Sequence, residues 1–147
     1  MVATLTKRQS SLYECDETAW LEATAELIMS DQHDEIEYEH LAEYLTDMAR
    51  RDRREVDSRL ALLLAHLLKW DHQPEKRTGN WRATIVVQRQ ELANLIGRGI
   101  LRIHAEDVLA DAYRDAVEQA VAETGLPAET FPVECPYGLV ELVEGKV

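Results

Sequence analysis

The stretch that decides the fold is residues 58–89, SRLALLLAHLLKWDHQPEKRTGNWRATIVVQR. Its leucines recur at three- and four-residue steps, which is the spacing of a wide apolar stripe on one helix face. Pro74 disfavours helical geometry at Gln73, and the glycine and asparagine at residues 79 and 80 are typical of a loop. The stretch therefore predicts two helices joined by a short loop, and helices joined in this way run roughly antiparallel.

Capping signals predict where these two helices begin. Asp52, followed three residues later by Glu55, has the form of an N-terminal cap with its reciprocal partner. We therefore expect one helix over residues 36–50 and a new one from about residue 53 to residue 70. The polar run ARRDRREVD contains neither glycine nor proline, so a continuous helix is the alternative, although it would be unusually long. The second helix of the hairpin is expected at residues 81–96, with Gly79 and Asn80 closing the loop and supplying its cap.

Polar side chains interrupt the apolar faces of the predicted hairpin. Gln88 falls between Ile85 and Leu92 on one helix, and Arg59 and His66 share a stripe with leucines on the other. An unpaired buried amide or imidazole costs about 1–3 kcal/mol, so we expect these groups to bond to one another across the hairpin. The full candidate cluster is Arg59, His66, Trp70, Gln73, Arg77, Trp81, Gln88 and Arg89.

Two interpretations of this cluster stay open. In the structural one, the two tryptophans pack the hairpin and the polar groups pin its geometry. In the functional one, the arginines and Gln88 form an anion-binding pocket walled by indoles, suited to a carboxylate or a phosphate.

Several short strings give the chain a recognisable pattern. They are HLLKW at residues 66–70, QPEKR at 73–77, TI at 84–85, QR at 88–89, YECDETAWL at 13–21, RDRREV at 51–56, ETGLPAETFP at 123–132 and CPYGLVELV at 135–143. Together with Trp81 they resemble a bacterial family catalogued as domain of unknown function number 29. The resemblance implies a small helical protein over nearly the whole chain, and it supplies no activity or catalytic residue. The chain departs from the family pattern at the acidic connector of residues 31–40 and at GRG, residues 97–99.

The remaining segments complete an all-α prediction. We expect a helix at residues 16–29 capped by Asp16, and another at residues 103–123 ended by a left-handed Gly125 and by Pro127. The inner face of residues 36–50 should consist of Leu41, Tyr44, Leu45 and Met48. The predicted fold is a compact bundle of about five helices with an extended proline-containing C-terminal strap and a short terminal helix at residues 139–143.

Length and composition predict one domain. The chain has 147 residues and a formal net charge of −12 at pH 7, and a chain of this length folds without a disulfide or a metal. It contains no apolar run near the roughly 18 residues of a membrane span, and its first residues lack the apolar segment of a secretory signal. We expect a flexible tail at residues 1–11, a single helical domain at residues 12–147, and a cytoplasmic protein that does not enter a membrane.

Charge is segregated along the sequence. No lysine or arginine lies between Arg8 and Arg50, whereas residues 50–102 carry twelve basic side chains against six acidic ones. These charges either neutralise one another within the fold or leave an open basic face for a partner. The open face would consist of Arg50, Arg51, Arg53, Arg54 and Lys76. Because net acidity opposes phosphate binding, nucleic acid is disfavoured and a protein partner or self-association is expected.

Patterns typical of metal or covalent chemistry are weak. His33, Glu37 and His40 have one-turn spacings that could place ligands on one helix face, but they match no known zinc or di-iron pattern. We therefore expect no metal and no other cofactor. Cys15 and Cys135 are interpreted as ordinary thiols, with pairing of the chain ends left open. His72 and His104 are predicted at the surface.

The sequence alone leaves the function undetermined among three hypotheses. The first is a noncatalytic protein-interaction or regulatory module that uses its segregated acidic and basic faces. The second is a nucleic-acid-associated factor that binds through residues 50–102. The third is a small-anion-binding enzyme or sensor with a pocket around His66, Gln88 and Arg89. No catalytic residue is predicted, so an enzyme is disfavoured.

Overall fold

The computed structural model describes residues 12–147, which are predominantly helical and contain no β-strand. The α-helices are α1 at Glu17–Met29, α2 at Tyr38–His72, α3 at Gly79–Ile96, α4 at Ile100–Thr124 and α5 at Leu139–Glu144. Residues 12–15 are also helical, and short 3-10 turns lie at His33–Glu35, Pro74–Lys76 and Ala128–Thr130. The all-α prediction is confirmed, while the predicted tail at residues 1–11 lies outside the described residues.

The predicted helix break near Arg51 is wrong, because α2 is continuous over 35 residues. Arginine and glutamate are good helix formers, and no glycine or proline in this run removes a backbone donor or loosens the chain. Asp52 therefore lies inside a helix instead of capping one. Glu55 pairs forward with Arg59 one turn later, with an N···O distance of 2.9 Å, instead of reaching back to a cap.

The other helix ends are set by local capping chemistry. The Asp16 carboxylate accepts the Ala19 N–H at 3.1 Å, which confirms the predicted cap of α1. Helix α3 begins at Gly79, earlier than predicted, because the Thr78 hydroxyl supplies the cap by accepting the Trp81 N–H at 3.2 Å. Gly125 has a φ of 72° and its N–H donates to the carbonyl of Val121, so the left-handed end of α4 is confirmed.

The chain divides into two compact units, and the first ends at Arg50. Within its described part, Trp20 is buried with its ring 4.8 Å from Tyr13 and 6.0 Å from Tyr44. Three of the four predicted inner residues of α2 in this unit are half-buried, but Leu45 is 59% exposed, so its inward placement is wrong. Leu45 follows Tyr44 by one residue and therefore lies about 100° around the helix from the ring that meets Trp20.

The second unit, residues 51–147, contains the main apolar core. Leucines of α2 pack with Ile85, Leu92 and Ile96 of α3 and with a row of alanines on α4. The alanine side chains are small, which allows close approach of neighbouring helices. Tyr113 of α4 donates to the carbonyl of Pro132 at 2.6 Å and so fastens the C-terminal strap to the bundle. This packing places one polar face of α2 beside α3, where the candidate site lies.

Candidate interaction site

A cleft of about 500 Å³ lies along α2 and α3 and is lined by three arginines. It is lined by Arg51, Arg54, Glu55, Ser58, Arg59, Leu62 and Gln88, and we call it the arginine cleft. The α2 residues follow one another at steps of one helical turn, which brings them onto one face. Gln88 contributes from α3, so the cleft depends on the packing of the hairpin.

Arg59 is the fixed member of the arginine cleft. Its Nε donates to Glu55 Oε1 at 2.9 Å, and its Nη1 donates to Gln88 Oε1 at 3.1 Å. Glu91 of α3 lies 3.7 Å from Nη2. The bond expected across the hairpin is therefore present between Arg59 and Gln88. Because two carboxylates offset its charge, Arg59 attracts an anion only weakly. Its main role in the cleft is to connect α2 and α3 through the bond to Gln88.

Arg51 and Arg54 differ from Arg59 because both side chains are exposed and neither forms an ion pair within residues 12–147. Each presents a planar fork of N–H donors that fits a carboxylate or a phosphate in a bidentate way. Ser58, one helical turn after Arg54, adds a hydroxyl to the lining of the same cleft. The cleft can therefore bind an anionic group, with Arg51 and Arg54 making the ionic contacts.

The two tryptophans of the predicted cluster lie under cations elsewhere on the hairpin. Arg77 donates from Nε to the Trp70 carbonyl at 2.9 Å, and its guanidinium lies 4.7 Å from the Trp70 ring centroid. Trp81 instead faces Lys69, whose Nζ lies 4.9 Å from the indole centroid. Both are cation–π contacts between neighbouring segments of the hairpin, and neither indole lines the arginine cleft.

The other predicted members also have separate surroundings. The His66 ring bonds through Nδ1 to the Leu62 carbonyl of its own helix at 3.0 Å, and burial lowers the pKa of this imidazole. Gln73 is buried at the end of α2. Arg89 points to the C-terminal segment, where its Nε donates to the Leu142 carbonyl at 3.0 Å. The eight residues of the sequence-based cluster are thus distributed over several sites, of which Arg59 and Gln88 share one.

Lys69 is a buried charge that the sequence reasoning missed. Its side chain is only 7% exposed, and its Nζ lies 2.5 Å from Glu123 Oε2. The hydrogen bond from Lys69 holds the pKa of the Glu123 carboxyl below its ordinary value. The local signal was the position of Lys69 directly after Leu68 in the leucine run, but a lysine is normally expected at the surface.

The two histidines predicted at the surface are half-buried, so that prediction is wrong. The His104 side chain is 18% exposed, and its Nε2 lies 2.7 Å from Asp57 Oδ1 of α2. His72 lies edge-on to the Phe131 ring, with centroids 5.1 Å apart. Both rings are covered by segments distant in sequence, which periodicity within one helix does not reveal.

The weak metal candidates have protein partners. His33 is exposed and lies 3.3 Å from Asp31, whereas His40 bonds to Glu37 at 2.7 Å and stacks on Tyr13. Within residues 12–147, no group of three histidine, cysteine or acidic side chains could hold a metal ion.

The two cysteines are both free thiols in the structure. Cys15 is exposed, and Cys135 is half-buried with its Sγ 3.3 Å from the Tyr137 carbonyl. Burial raises the pKa of the Cys135 thiol, which disfavours the reactive thiolate. Cys135 therefore has the surroundings of a packing residue and not those of a nucleophile.

Among helices of the described residues, none combines the length and apolar character needed to cross a membrane.

Comparison with known proteins gives a family and no individual relative. Neither the curated proteins nor the solved structures contain a significant match. The resemblance seen in the sequence strings is confirmed over residues 12–146, and the chain therefore belongs to the family described as domain of unknown function DUF29.

Proposed function

We propose that this protein is a noncatalytic protein-interaction module, in which the arginine cleft receives an acidic segment of a partner polypeptide. The observation that carries the proposal is the exposure of Arg51 and Arg54 without an ion pair in residues 12–147, next to an Arg59 already fixed by its own partners. Carboxylates of a partner would complete the charge pairing that the chain itself leaves open.

The charges around the cleft support a polypeptide over a nucleic acid. Glu55 lines the cleft, and Glu91 pairs with Arg59, so the positive surface is interrupted by carboxylates. Nucleic-acid binding depends on neutralising several phosphates along a backbone, and a net charge of −12 opposes that contact. A cleft with two free arginines suits a few discrete carboxylates better.

The first unit offers a second surface of opposite charge, which would contact a basic surface of a partner. Its described residues carry acidic side chains with no lysine or arginine before Arg50, and they expose Met29, Tyr38 and Leu45. Exposed aromatic and aliphatic side chains among carboxylates suit a basic partner surface with apolar contacts. Following the family resemblance, we place this role in the cytoplasm of a bacterium.

The test is affinity purification of the tagged chain from its native cells, with mass spectrometry and a check of ultraviolet absorbance for nucleic acid. The variant is Arg51→Ala with Arg54→Ala, and the matched control is Arg98→Ala with Arg114→Ala, which removes the same charge from exposed positions outside the cleft. We expect a stoichiometric polypeptide partner with the wild type and the control, and its loss from the cleft variant.

Three outcomes would contradict the proposal. Equal recovery from the cleft variant and the control would show that Arg51 and Arg54 do not contact the partner. Copurified nucleic acid, whose release follows a steep power of salt concentration, would favour the nucleic-acid alternative. Recovery of both the wild-type chain and the cleft variant without any partner would contradict the interaction hypothesis.

A further inference from the structure

A second cleft, of about 400 Å³, lies between α3 and the segment that follows α5. The α3 wall includes Arg82, Val86 and Arg89, which recur at one-turn steps on one helix face. The opposite wall includes Gly145 and Lys146. None of these residues lines the arginine cleft, so the second cleft is a separate surface, and we call it the C-terminal cleft.

The C-terminal cleft is positively charged. Arg82, Arg89 and Lys146 all line it, and no aspartate or glutamate side chain does. Within residues 12–147, none of the three cations lies within ion-pair distance of a carboxylate; Glu141 and Asp71 interact with Arg89 at longer range, and Asp71 also accepts a hydrogen bond from the Tyr137 hydroxyl. Three like charges around one concave surface repel one another, and an anion bound between them would remove that repulsion.

Arg89 is held in place with part of its hydrogen-bonding capacity unused. Its Nε donates to the Leu142 carbonyl at 3.0 Å, which fixes the plane of the guanidinium. Its Nη1 is shielded from solvent and has no hydrogen-bond partner among residues 12–147. Buried donors in proteins are nearly always satisfied, so a charged donor left unpaired indicates a group that the chain alone does not supply.

Gly145 brings the C-terminal segment directly onto this guanidinium. A Cβ atom at this position would lie 2.5 Å from the Glu141 carbonyl oxygen and 2.7 Å from Arg89 Nη2. Only glycine allows so close an approach without a shift of the segment or the arginine. The segment carries Lys146, so its contact with Arg89 gathers the three cations around one volume.

We propose that the C-terminal cleft binds a small oxyanion of the phosphate class, either free phosphate or the phosphate of a monoester, held by Arg82, Arg89 and Lys146. Arg89 lines the cleft and contributes a guanidinium held in place by its bond to the Leu142 carbonyl. Arg82 and Lys146 are exposed and contribute charge from opposite walls. This site does not depend on the arginine cleft or on a polypeptide partner.

Calorimetric titration with inorganic phosphate, in a low-salt buffer whose own ions are not oxyanions, tests the proposal. We expect one phosphate per chain with a Kd of about 1 mM or tighter. The double variant Arg82→Ala with Lys146→Ala should weaken binding at least about tenfold, since each lost charge-assisted contact contributes a substantial part of the affinity. Both positions are exposed, so circular dichroism should report an unchanged fold.

The matched control is Lys76→Ala with Arg98→Ala, which removes the same number of charges from exposed positions that line neither cleft and should bind phosphate as the wild type does. Equal weakening in both variants would overturn the proposal, because it would reflect net charge instead of a site. Absence of saturable heat, or unchanged affinity in the Arg82 and Lys146 variant, would overturn it as well. A second titration with glycerol phosphate distinguishes the sources, since tighter binding than phosphate indicates a monoester.

Discussion

Replacing Glu123 by glutamine tests how the buried Lys69 charge is stabilised. The Lys69 side chain is 7% exposed and that of Glu123 is 42% exposed, with 2.5 Å between their charged atoms. Breaking a fully buried pair costs about 3–5 kcal/mol, whereas an exposed pair contributes about 0.2–1 kcal/mol. Because only one partner is buried, we expect Glu123→Gln to lower the free energy of unfolding by about 1–2 kcal/mol. For a chain of this size, each kcal/mol lowers Tm by about 3 °C.

The same substitution has a predictable pH dependence. The hydrogen bond from Lys69 lowers the pKa of Glu123 in the folded state, so the unfolded chain binds a proton at this site more readily. The stabilisation from this carboxylate is therefore complete above its unfolded pKa and is lost as the pH falls through its folded pKa. The difference in unfolding free energy between wild type and variant should shrink on going from pH 7 to about pH 3.5.

Urea denaturation followed by circular dichroism at both pH values measures this difference. Asp111→Asn is the matched control, since Asp111 pairs with Arg114 one turn away and both side chains are mostly exposed. Asp111→Asn should lower the free energy of unfolding by less than about 0.5 kcal/mol. A loss below that value for Glu123→Gln, or a difference that does not change with pH, would refute the assignment of Lys69 to this ion pair.

Three further substitutions test other parts of the structure. Asp52→Pro should lower the free energy of unfolding by at least about 3 kcal/mol and reduce the helical circular-dichroism signal, because proline interrupts α2. Asp52→Ala should leave the free energy and the signal nearly unchanged; if the two substitutions had equally small effects, the predicted helix break near Arg51 would be correct. Gln88→Ala should lower the free energy of unfolding, measured by urea denaturation, by about 1 kcal/mol, since it removes the acceptor of Arg59 Nη1, and Gln88→Glu should retain the contact. Equal losses of free energy in the two variants would indicate that this hydrogen bond is unimportant for stability. Gly125→Ala should lower Tm through a cost of about 1–2 kcal/mol, because its φ of 72° is unfavourable for a residue with a Cβ; an unchanged Tm would mean that the end of α4 rearranges freely.

The helical fold could be predicted because its signals are local. The leucine spacing of α2, the carboxylate of Asp16 and the glycine at residue 125 each act within a few residues of the structure they set. The false break arose from an equally local signal. Asp52 and Glu55 are three residues apart, which is the spacing of a capping pair and also an ordinary spacing along a continuous helix. Only the geometry of the chain before Asp52 distinguishes the two.

The candidate sites depend on contacts that periodicity does not encode. Arg59 and Gln88 could be paired because both fall on the inner faces of one predicted hairpin. Glu123 reaches Lys69 from 54 residues away, and Lys146 reaches the Arg82 face from the other end of the unit. No pattern within a single helix indicates which distant side chain will cover a charge, so these contacts required the tertiary structure.

The positions of the two hairpin tryptophans have a spectroscopic consequence. The Trp70 ring faces the Arg77 guanidinium, and the Trp81 ring faces the Lys69 ammonium. A fixed positive charge near an indole shifts the energy of its excited state, so the emission of each of these tryptophans, recorded in a variant that lacks the other two tryptophans of the chain, reports whether its cation stays in place. The hairpin therefore contains two intrinsic optical probes, one at the loop and one at the buried ion pair, and both can be observed without attaching a label.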